Sequence, residues 1–185
     1  MSLLTRPLTV DDLDQFPDDG KRREIIEGEL YVSPAPSRAH QTFSSELHNL
    51  FHQTVVVTGW GRVYSAPVDV RFSAEDQVQP DLLVIRRDRL DMYRGNTVFG
   101  PPDIVVEILS PSNRAYDLVT KARLYAAANV PELWIADPDE PGLRISALSD
   151  GQYHPVEPAA DGTLRSTVVP GLVVALTDLF ASLAD

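Results

Sequence analysis

Two acidic side chains, Asp81 and Glu107, stand in short segments that are otherwise strongly apolar. Glu107 lies in the run 103–109, which is apolar on both faces and is typical of a central strand covered on both sides. Asp81 stands near the start of a second such run, 80–85. A buried carboxylate without a partner costs on the order of several kcal/mol. Each acid therefore needs a metal ion, a cationic side chain or a raised pKa.

A divalent metal is the partner that accounts for both acids together. Because strand side chains alternate, Glu107 shares its face with Val105 and Leu109. On neighbouring strands, Asp81 and Glu107 would repel each other unless a cation bridged them, and their hard oxygens suit Mg²⁺ or Mn²⁺. Structural alternatives stay open for each: Glu107 can reach water or a backbone amide, and Asp81 can be a turn residue after Pro80.

Lys121 is the candidate catalytic cation. It lies on a predicted helix at 116–128 and, at helical spacing, joins an apolar stripe formed by Leu118, Tyr125 and Ala128. If the stripe faces the sheet, Lys121 points at the Glu107 carboxylate and at a substrate phosphate. The alternative is a lysine whose ammonium reaches solvent, or a pair with Asp117 worth ~0.3–0.5 kcal/mol.

Two further residues are possible members of the site. Glu24, in a predicted hairpin, can supply another carboxylate, although an exposed strand residue paired with Arg22 or Arg23 is the favoured interpretation. His40, in the first turn of a long helix, can bond a substrate or a carboxylate, although a lone histidine is more often structural. Four arginines near these motifs can meet phosphates or simply lie on the surface: Arg86, Arg87, Arg89 and Arg114.

The elements that must position these residues follow from apolar periodicity and from turn residues. The predicted helices cover 10–16, 37–54, 116–128 and a segment from Thr177, with a short helix or turn at 88–93. The predicted strands cover 22–26, 29–33, 62–66, 68–72, 80–85, 103–109, 132–136, 143–148, 153–157 and a segment near Val173. The strands at 103–109 and 132–136 flank a helix, so they should be parallel, whereas the earlier strands should be antiparallel.

This order predicts an α/β (α+β) fold with a mixed sheet flanked by helices and an N-terminal hairpin. We expect a single domain over 1–185. Its core would span about 37–137, preceded by a helix and hairpin at 9–33 and followed by strands and a helix at 143–183.

Composition narrows the classes of function. A net charge of −11 is evidence against a general nucleic-acid coat protein, which needs clustered lysine and arginine. The chain contains no cysteine, which excludes disulfides and thiolate metal sites and favours a cytoplasmic location. No apolar run approaches the ~20 residues that cross a bilayer, and we expect no signal peptide.

The acidic pair and its surroundings resemble the PD-(D/E)XK nuclease superfamily. In that superfamily an acidic residue follows a proline, as Asp81 does here, and a second acidic residue stands on a later strand, as Glu107 does. That superfamily usually has a lysine two residues after the glutamate, where this chain has Leu109. The resemblance implies that Lys121, from the following helix, takes over the role.

A closer resemblance, over about residues 8–140, is to the Uma-type restriction-endonuclease-like family, a domain of unknown function. The motifs are EIIEGEL at 24–30, PAPS at 34–37 with His40, PVDVR at 67–71, QPDL at 79–82, PDIVVEILSPS at 102–112, Asp117 with Lys121, and Tyr125 followed by VPELW at 130–134. The resemblance implies an endonuclease, that is, a hydrolase that cuts DNA with bound magnesium or manganese and often acts as a homodimer.

Asp81, Glu107 and Lys121 are thus the predicted catalytic residues, with Asp81 and Glu107 as metal ligands. A catalytically inactive nuclease-fold module for binding or assembly stays open as the alternative. The absence of lysine at position 109 and the acidic composition favour that alternative. A small-molecule hydrolase using the same carboxylates is a third interpretation.

Overall fold

The structure, a computed structural model, describes residues 6–17, 19–110, 114, 116–138 and 142–181. Its strands are β1 (Arg22–Ile26), β2 (Glu29–Ser33), β3 (Gly61–Ser65), β4 (Asp69–Arg71), β5 (Gln77–Val78), β6 (Leu82–Arg86), β7 (Tyr93–Arg94), β8 (Thr97–Phe99), β9 (Ile104–Ile108), β10 (Glu132–Asp137), β11 (Gly142–Ser149), β12 (Gln152–Pro155), β13 (Thr163–Arg165) and β14 (Val173–Ala175). Its helices are α1 (Arg38–Phe51), α2 (Ala122–Ala127) and α3 (Leu176–Ala181). Short 3-10 helices cover Val10–Gln15 and Arg87–Met92, and π-helical segments cover His52–Val56 and Tyr116–Lys121.

Six strands form a central sheet in the order β12-β11-β10-β9-β6-β3. β9 and β10 are parallel, and the neighbouring pairs β3–β6, β6–β9 and β10–β11 are antiparallel. The predicted parallel pairing of the strands on either side of the helix at 116–128 is therefore confirmed. A mixed sheet with flanking helices was predicted, and the fold class is confirmed.

The N-terminal hairpin belongs to a second six-stranded sheet, the outer sheet, ordered β2-β1-β5-β4-β8-β7. The hairpin itself, β1 and β2, has the predicted bounds. The sequence pattern did not reveal β5, β7 and β8, because strands of two or three residues are too short to display an alternation. β13, which pairs with β14 in a separate two-stranded sheet, was also missed.

The central strands are covered on both faces, as the apolar run at 103–109 predicted. One face of β9 packs into a cluster with Phe43, Leu47 and Phe51 of α1. The opposite face contacts a second cluster, which contains Tyr125 of α2 and apolar residues of the outer sheet. This second face is the one that carries the candidate chemistry.

α1 begins where the sequence predicted. The Ser37 hydroxyl accepts a hydrogen bond from the His40 backbone N–H at 3.2 Å, so it caps the helix. The helical path then continues through the π-helical segment at 52–56. In the part of the chain that the structure describes, no helix is long and apolar enough to span a membrane. The division of a single domain into a core at about 37–137 and additions at 9–33 and 143–183 stays a prediction.

Candidate active site

The register between two central strands brings the acidic pair together. β6 and β9 are antiparallel with Leu82 opposite Val106, so one further step along both strands puts Asp81 opposite Glu107. The Asp81 Oδ2 atom accepts a hydrogen bond of 2.7 Å from the Ile108 backbone N–H. Asp81 is 4% exposed and Glu107 is 1% exposed. Asp81 thus lies just before β6, as a turn residue would, yet its side chain is buried against the neighbouring strand β9.

A third carboxylate, Glu24, joins this pair from β1 in the outer sheet. Glu24 is completely buried, so the interpretation of an exposed strand residue is wrong, although the expected ion pair with Arg22 is present. Its Oε1 atom accepts a hydrogen bond of 2.7 Å from the backbone N–H of Gln79. Because Gln79 is two residues before Asp81, this bond ties the two carboxylate-bearing segments together.

Lys121 lies between two of the three carboxylates. Its Nζ atom is 3.1 Å and 3.2 Å from the two carboxylate oxygens of Glu107 and 2.9 Å from Oε1 of Glu24. The side chain is 1% exposed, so its ammonium does not reach solvent. The proposed pair with Asp117 lies outside the described residues, because that side chain is not described. The orientation of Lys121 toward Glu107 is the one that the helical stripe predicted.

Two tyrosines on the same helical path hold the glutamates. The Tyr125 hydroxyl donates to Oε1 of Glu107, and the Tyr116 hydroxyl donates to Oε2 of Glu24 at 3.3 Å. Burial and the nearby Glu107 charge raise the pKa of Tyr125 well above its ordinary value. Tyr125 is therefore a permanent donor to Glu107 near neutral pH. The sequence placed Tyr125 on the apolar stripe and in a family motif, but did not predict its hydrogen bond to Glu107.

Arg22 is the site residue that sequence reasoning missed, since it was considered only as a surface partner of Glu24. Its Nη1 atom is 3.0 Å from Oδ1 of Asp81, and its Nη2 atom is 3.2 Å from Oε1 of Glu24 and 3.8 Å from Oε2 of Glu107. Burial opposes its charge, but the three carboxylates outweigh burial and raise the pKa of Arg22. The sequence did contain a signal for Arg22. Residues 22 and 24 share one face of a strand, so a strand that turns Glu24 toward the site turns Arg22 toward it as well.

His40 completes the surroundings of Asp81. Its Nε2 atom lies 3.2 Å from Oδ2 of Asp81. Burial by itself would raise the pKa of Asp81, but the hydrogen bond from His40 and the charge of Arg22 lower that pKa to about 2. All five residues predicted from the sequence therefore meet in one place: Glu24, His40, Asp81, Glu107 and Lys121.

Four of these residues line a cleft of about 910 Å³: His40, Asp81, Glu107 and Lys121. Polar residues from one face of α1 line a wall: His40, Gln41, Ser44, Ser45, His48 and Asn49. The His48 Nδ1 atom is 2.8 Å from Oγ of Ser65 on β3. Burial and the neighbouring His52 lower the pKa of His48, which favours its neutral form. The wall therefore offers hydrogen bonds rather than fixed charges.

Comparison with known families and structures identifies relatives of this chain. The sequence profile of the Uma2 family, described as "Putative restriction endonuclease", matches residues 10–177. The chain belongs to the Uma2 family. A crystal structure from Anabaena variabilis, titled a putative nuclease of the DUF820 family, superposes on this Uma2 protein with a TM-score of 0.81. The two sequences are 21% identical, and the match covers 96% of this chain and 99% of the other. A comparison with curated proteins gave no significant match.

The donor chemistry of the Uma2 site suits a divalent cation. Glu24, Asp81 and Glu107 offer hard carboxylate oxygens, and only two cationic side chains, Arg22 and Lys121, contact them in the described part of the chain, apart from His40. The three carboxylates outnumber Arg22 and Lys121 by one. No three histidine or acidic side chains among the described residues converge as a ready-made metal site. The oxygens are instead held by the two internal cations.

Three of the arginines near the motifs form ion pairs with acidic side chains. Arg86 contacts Asp88 at 2.6 Å, and Arg89 contacts Asp103 at 2.8 Å. Arg114 contacts Asp137 at 2.6 Å. Their local charges are therefore largely balanced, which favours the interpretation of surface arginines. Arg87 is exposed.

Proposed function

We propose that this Uma2 protein is an endonuclease that hydrolyses phosphodiester bonds of DNA with the help of Mg²⁺ or Mn²⁺. The observation that carries the proposal is the contact of Lys121 with Glu107. A lysine from the helix contacts the carboxylate of the strand at 3.1 Å, although the strand has leucine at the usual lysine position. The acid pair can hold a divalent metal, and the buried lysine beside it can stabilise the negative charge that develops during phosphoryl hydrolysis.

In this proposal Asp81 and Glu107 hold the metal. A bound divalent cation polarises a phosphate oxygen and lowers the pKa of a water molecule. Asp81 is kept ionised for this task, because its pKa is about 2. The Ile108 backbone N–H and His40 orient its carboxylate.

Lys121 stabilises the negative charge that develops on the phosphate during hydrolysis. Glu24 positions the ammonium, because its Oε1 atom is 2.9 Å from Nζ. Tyr125 holds the Glu107 carboxylate from the other side through its hydroxyl. Glu24 and Tyr125 are thus positioning residues that act through Lys121 and Glu107.

A second candidate function is a binding or assembly module without turnover. The observation in its favour is that Arg22 and Lys121 already neutralise much of the acid cluster. The overall charge of −11 also disfavours tight binding to DNA. This module would respond to neither Mg²⁺ nor Mn²⁺.

Plasmid nicking tests the proposal. Supercoiled DNA is incubated with the parent protein and with Asp81→Asn and Glu107→Gln, in Mg²⁺, in Mn²⁺ and with a chelator. The matched control is Glu27→Gln, an exposed carboxylate that pairs with Arg123 outside the cluster. We expect cleavage by the parent and the control only, and only with metal. Equal cleavage by the two site variants would contradict the assignment.

Two expectations from the sequence accompany the proposal. The homodimer is based on the way related nucleases cut two strands, and sedimentation equilibrium of the full chain tests it. The cytoplasmic location stays a prediction that imaging of a tagged chain in cells tests.

A further inference from the structure

We propose that Arg22 is an exchangeable counter-ion of the site, whose guanidinium leaves Asp81 when a divalent cation binds. The inference rests on the proposed metal-binding function. It assigns to Arg22 a role that neither the family nor the sequence motifs suggest. The guanidinium contacts Asp81 where it would compete with such a cation for the carboxylate.

The contacts of Asp81 identify the oxygen that must exchange its partner. Oδ2 is held by the Ile108 backbone N–H at 2.7 Å and by His40 at 3.2 Å. Oδ1 is held by the Arg22 Nη1 atom at 3.0 Å. A backbone donor within the sheet cannot move away without breaking the strand pair, whereas a long side chain can. A metal that takes up Asp81 therefore competes with Arg22 for Oδ1.

Exposure distinguishes the two internal cations. The Lys121 side chain is 1% exposed, and its ammonium lies between Glu24 and Glu107. The Arg22 side chain is 21% exposed and lines the cleft. Lys121 also lines the cleft but is almost completely buried between its two carboxylates, so Arg22 is the more accessible of the two cations. Lys121 stays in place when a metal enters.

The fit of Arg22 is also incomplete, as an exchangeable partner requires. Its Nε atom is buried and has no hydrogen-bond acceptor among the described residues. Its Nη2 atom is 3.8 Å from Glu107, beyond hydrogen-bond distance. A buried donor without an acceptor opposes the bound position of the side chain.

Charge balance gives the driving force for the exchange. The three carboxylates exceed the two cationic side chains by one negative charge. With a divalent cation bound, the charges of the three carboxylates, Lys121 and the cation cancel, so the guanidinium loses the net negative charge that attracts it. The released guanidinium then faces the cleft, and its planar fork suits the oxygens of a phosphate group.

NMR of arginine side chains tests the exchange directly on the full chain. The Arg22 Nε–H resonance, assigned by its loss in Arg22→Lys, is followed while MgCl₂ is added, and calorimetry on the same sample measures Mg²⁺ binding. We expect saturating Mg²⁺ to shift this resonance and to speed its exchange with water at least tenfold. The Arg23 resonance is the control, because Arg23 pairs with Asp19 away from the cluster.

The affinity for Mn²⁺ provides a second measurement. If Arg22 competes with the metal, Arg22→Met should bind Mn²⁺ at least tenfold more tightly than the parent, while Arg23→Met should match the parent. Circular dichroism checks that both variants fold. If Arg22→Met does not fold, the NMR titration of the parent alone tests the exchange. Mg²⁺ binding with an unchanged Arg22 resonance would overturn the exchange and leave the proposed function intact. Absence of any Mg²⁺ or Mn²⁺ binding would overturn both.

Discussion

The ammonium of Lys121 contacts both carboxylate oxygens of Glu107, at 3.1 and 3.2 Å, from a helix that begins after the glutamate strand has ended. The two residues are 14 positions apart in the chain. Both side chains are 1% exposed, so each supplies an opposite charge that offsets the cost of burying the other.

Replacement of Lys121 by methionine should affect both activity and stability. The change leaves Glu24 and Glu107 without their shared cation, and loss of one partner of a buried pair costs about 3–5 kcal/mol. If Lys121 stabilises the transition state, cleavage should fall by about 10²–10³-fold. Plasmid nicking and urea unfolding measure the two effects.

The matched control for this variant is Arg123→Met, two residues further along the same helix. Arg123 is 65% exposed and pairs with Glu27 at the surface, so its loss should change stability by less than about 0.5 kcal/mol. A Lys121→Met protein as stable as this control would show that the buried contact contributes nothing.

Tyr125→Phe should destabilise the fold through Glu107 alone. The hydroxyl donates to a charged carboxylate, and such a bond is worth about 1.5–3 kcal/mol. Tyr153→Phe is the matched control, because its hydroxyl donates to the neutral carbonyl of Val130 and its loss should cost about 0.5–1.5 kcal/mol. Equal losses in urea unfolding would contradict the charged character of the Glu107 contact.

Asp81 should make stability depend on pH in the acidic range. Its pKa is about 2 in the folded protein, below the ordinary value of 3.8, so the unfolded chain binds the proton more readily. Asp81 therefore stabilises the fold above about pH 3.8, and that stabilisation, on the order of 2 kcal/mol, is lost as the pH falls toward 2. Urea unfolding between pH 2 and 5 should be less steep in pH for Asp81→Asn than for the parent. Identical pH profiles would argue against the lowered pKa.

Metal should stabilise the parent protein against heat. A cation at a concentration 100 times its dissociation constant adds about 2.7 kcal/mol to the free energy of unfolding. We expect Mg²⁺ or Mn²⁺ to raise the melting temperature of the parent and of Glu132→Gln, but not of Glu107→Gln. Glu132 is also fully buried, but it accepts hydrogen bonds from Trp134, Ser166 and Thr167, which do not line the cleft. A response in Glu107→Gln equal to that of the parent would remove Glu107 from the metal ligands.

The parts of the site that could be predicted lie on strongly patterned elements. The apolar run of β9 made Glu107 conspicuous, and the stripe of the helix at 116–128 oriented Lys121. The burial of Arg22 was harder to predict than its spacing, because it depends on the outer sheet, which brings β1 next to Asp81. That sheet is completed by β5, only two residues long, which leaves no periodic signal in the sequence. The burial of Glu24 was not predicted for the same reason, because Glu24 also lies on β1.

The supply of the lysine from a helix has an evolutionary consequence at position 109. Leu109 is 2% exposed and belongs to the apolar cluster beneath the site. A Leu109→Lys substitution would bury a second ammonium there and remove a core side chain, even though it would put a lysine two residues after Glu107. If Lys121 were lost first, the charge of Glu107 would be buried without its lysine partner. Each single step between the two arrangements is therefore costly, so a lineage that has adopted one arrangement is expected to keep it.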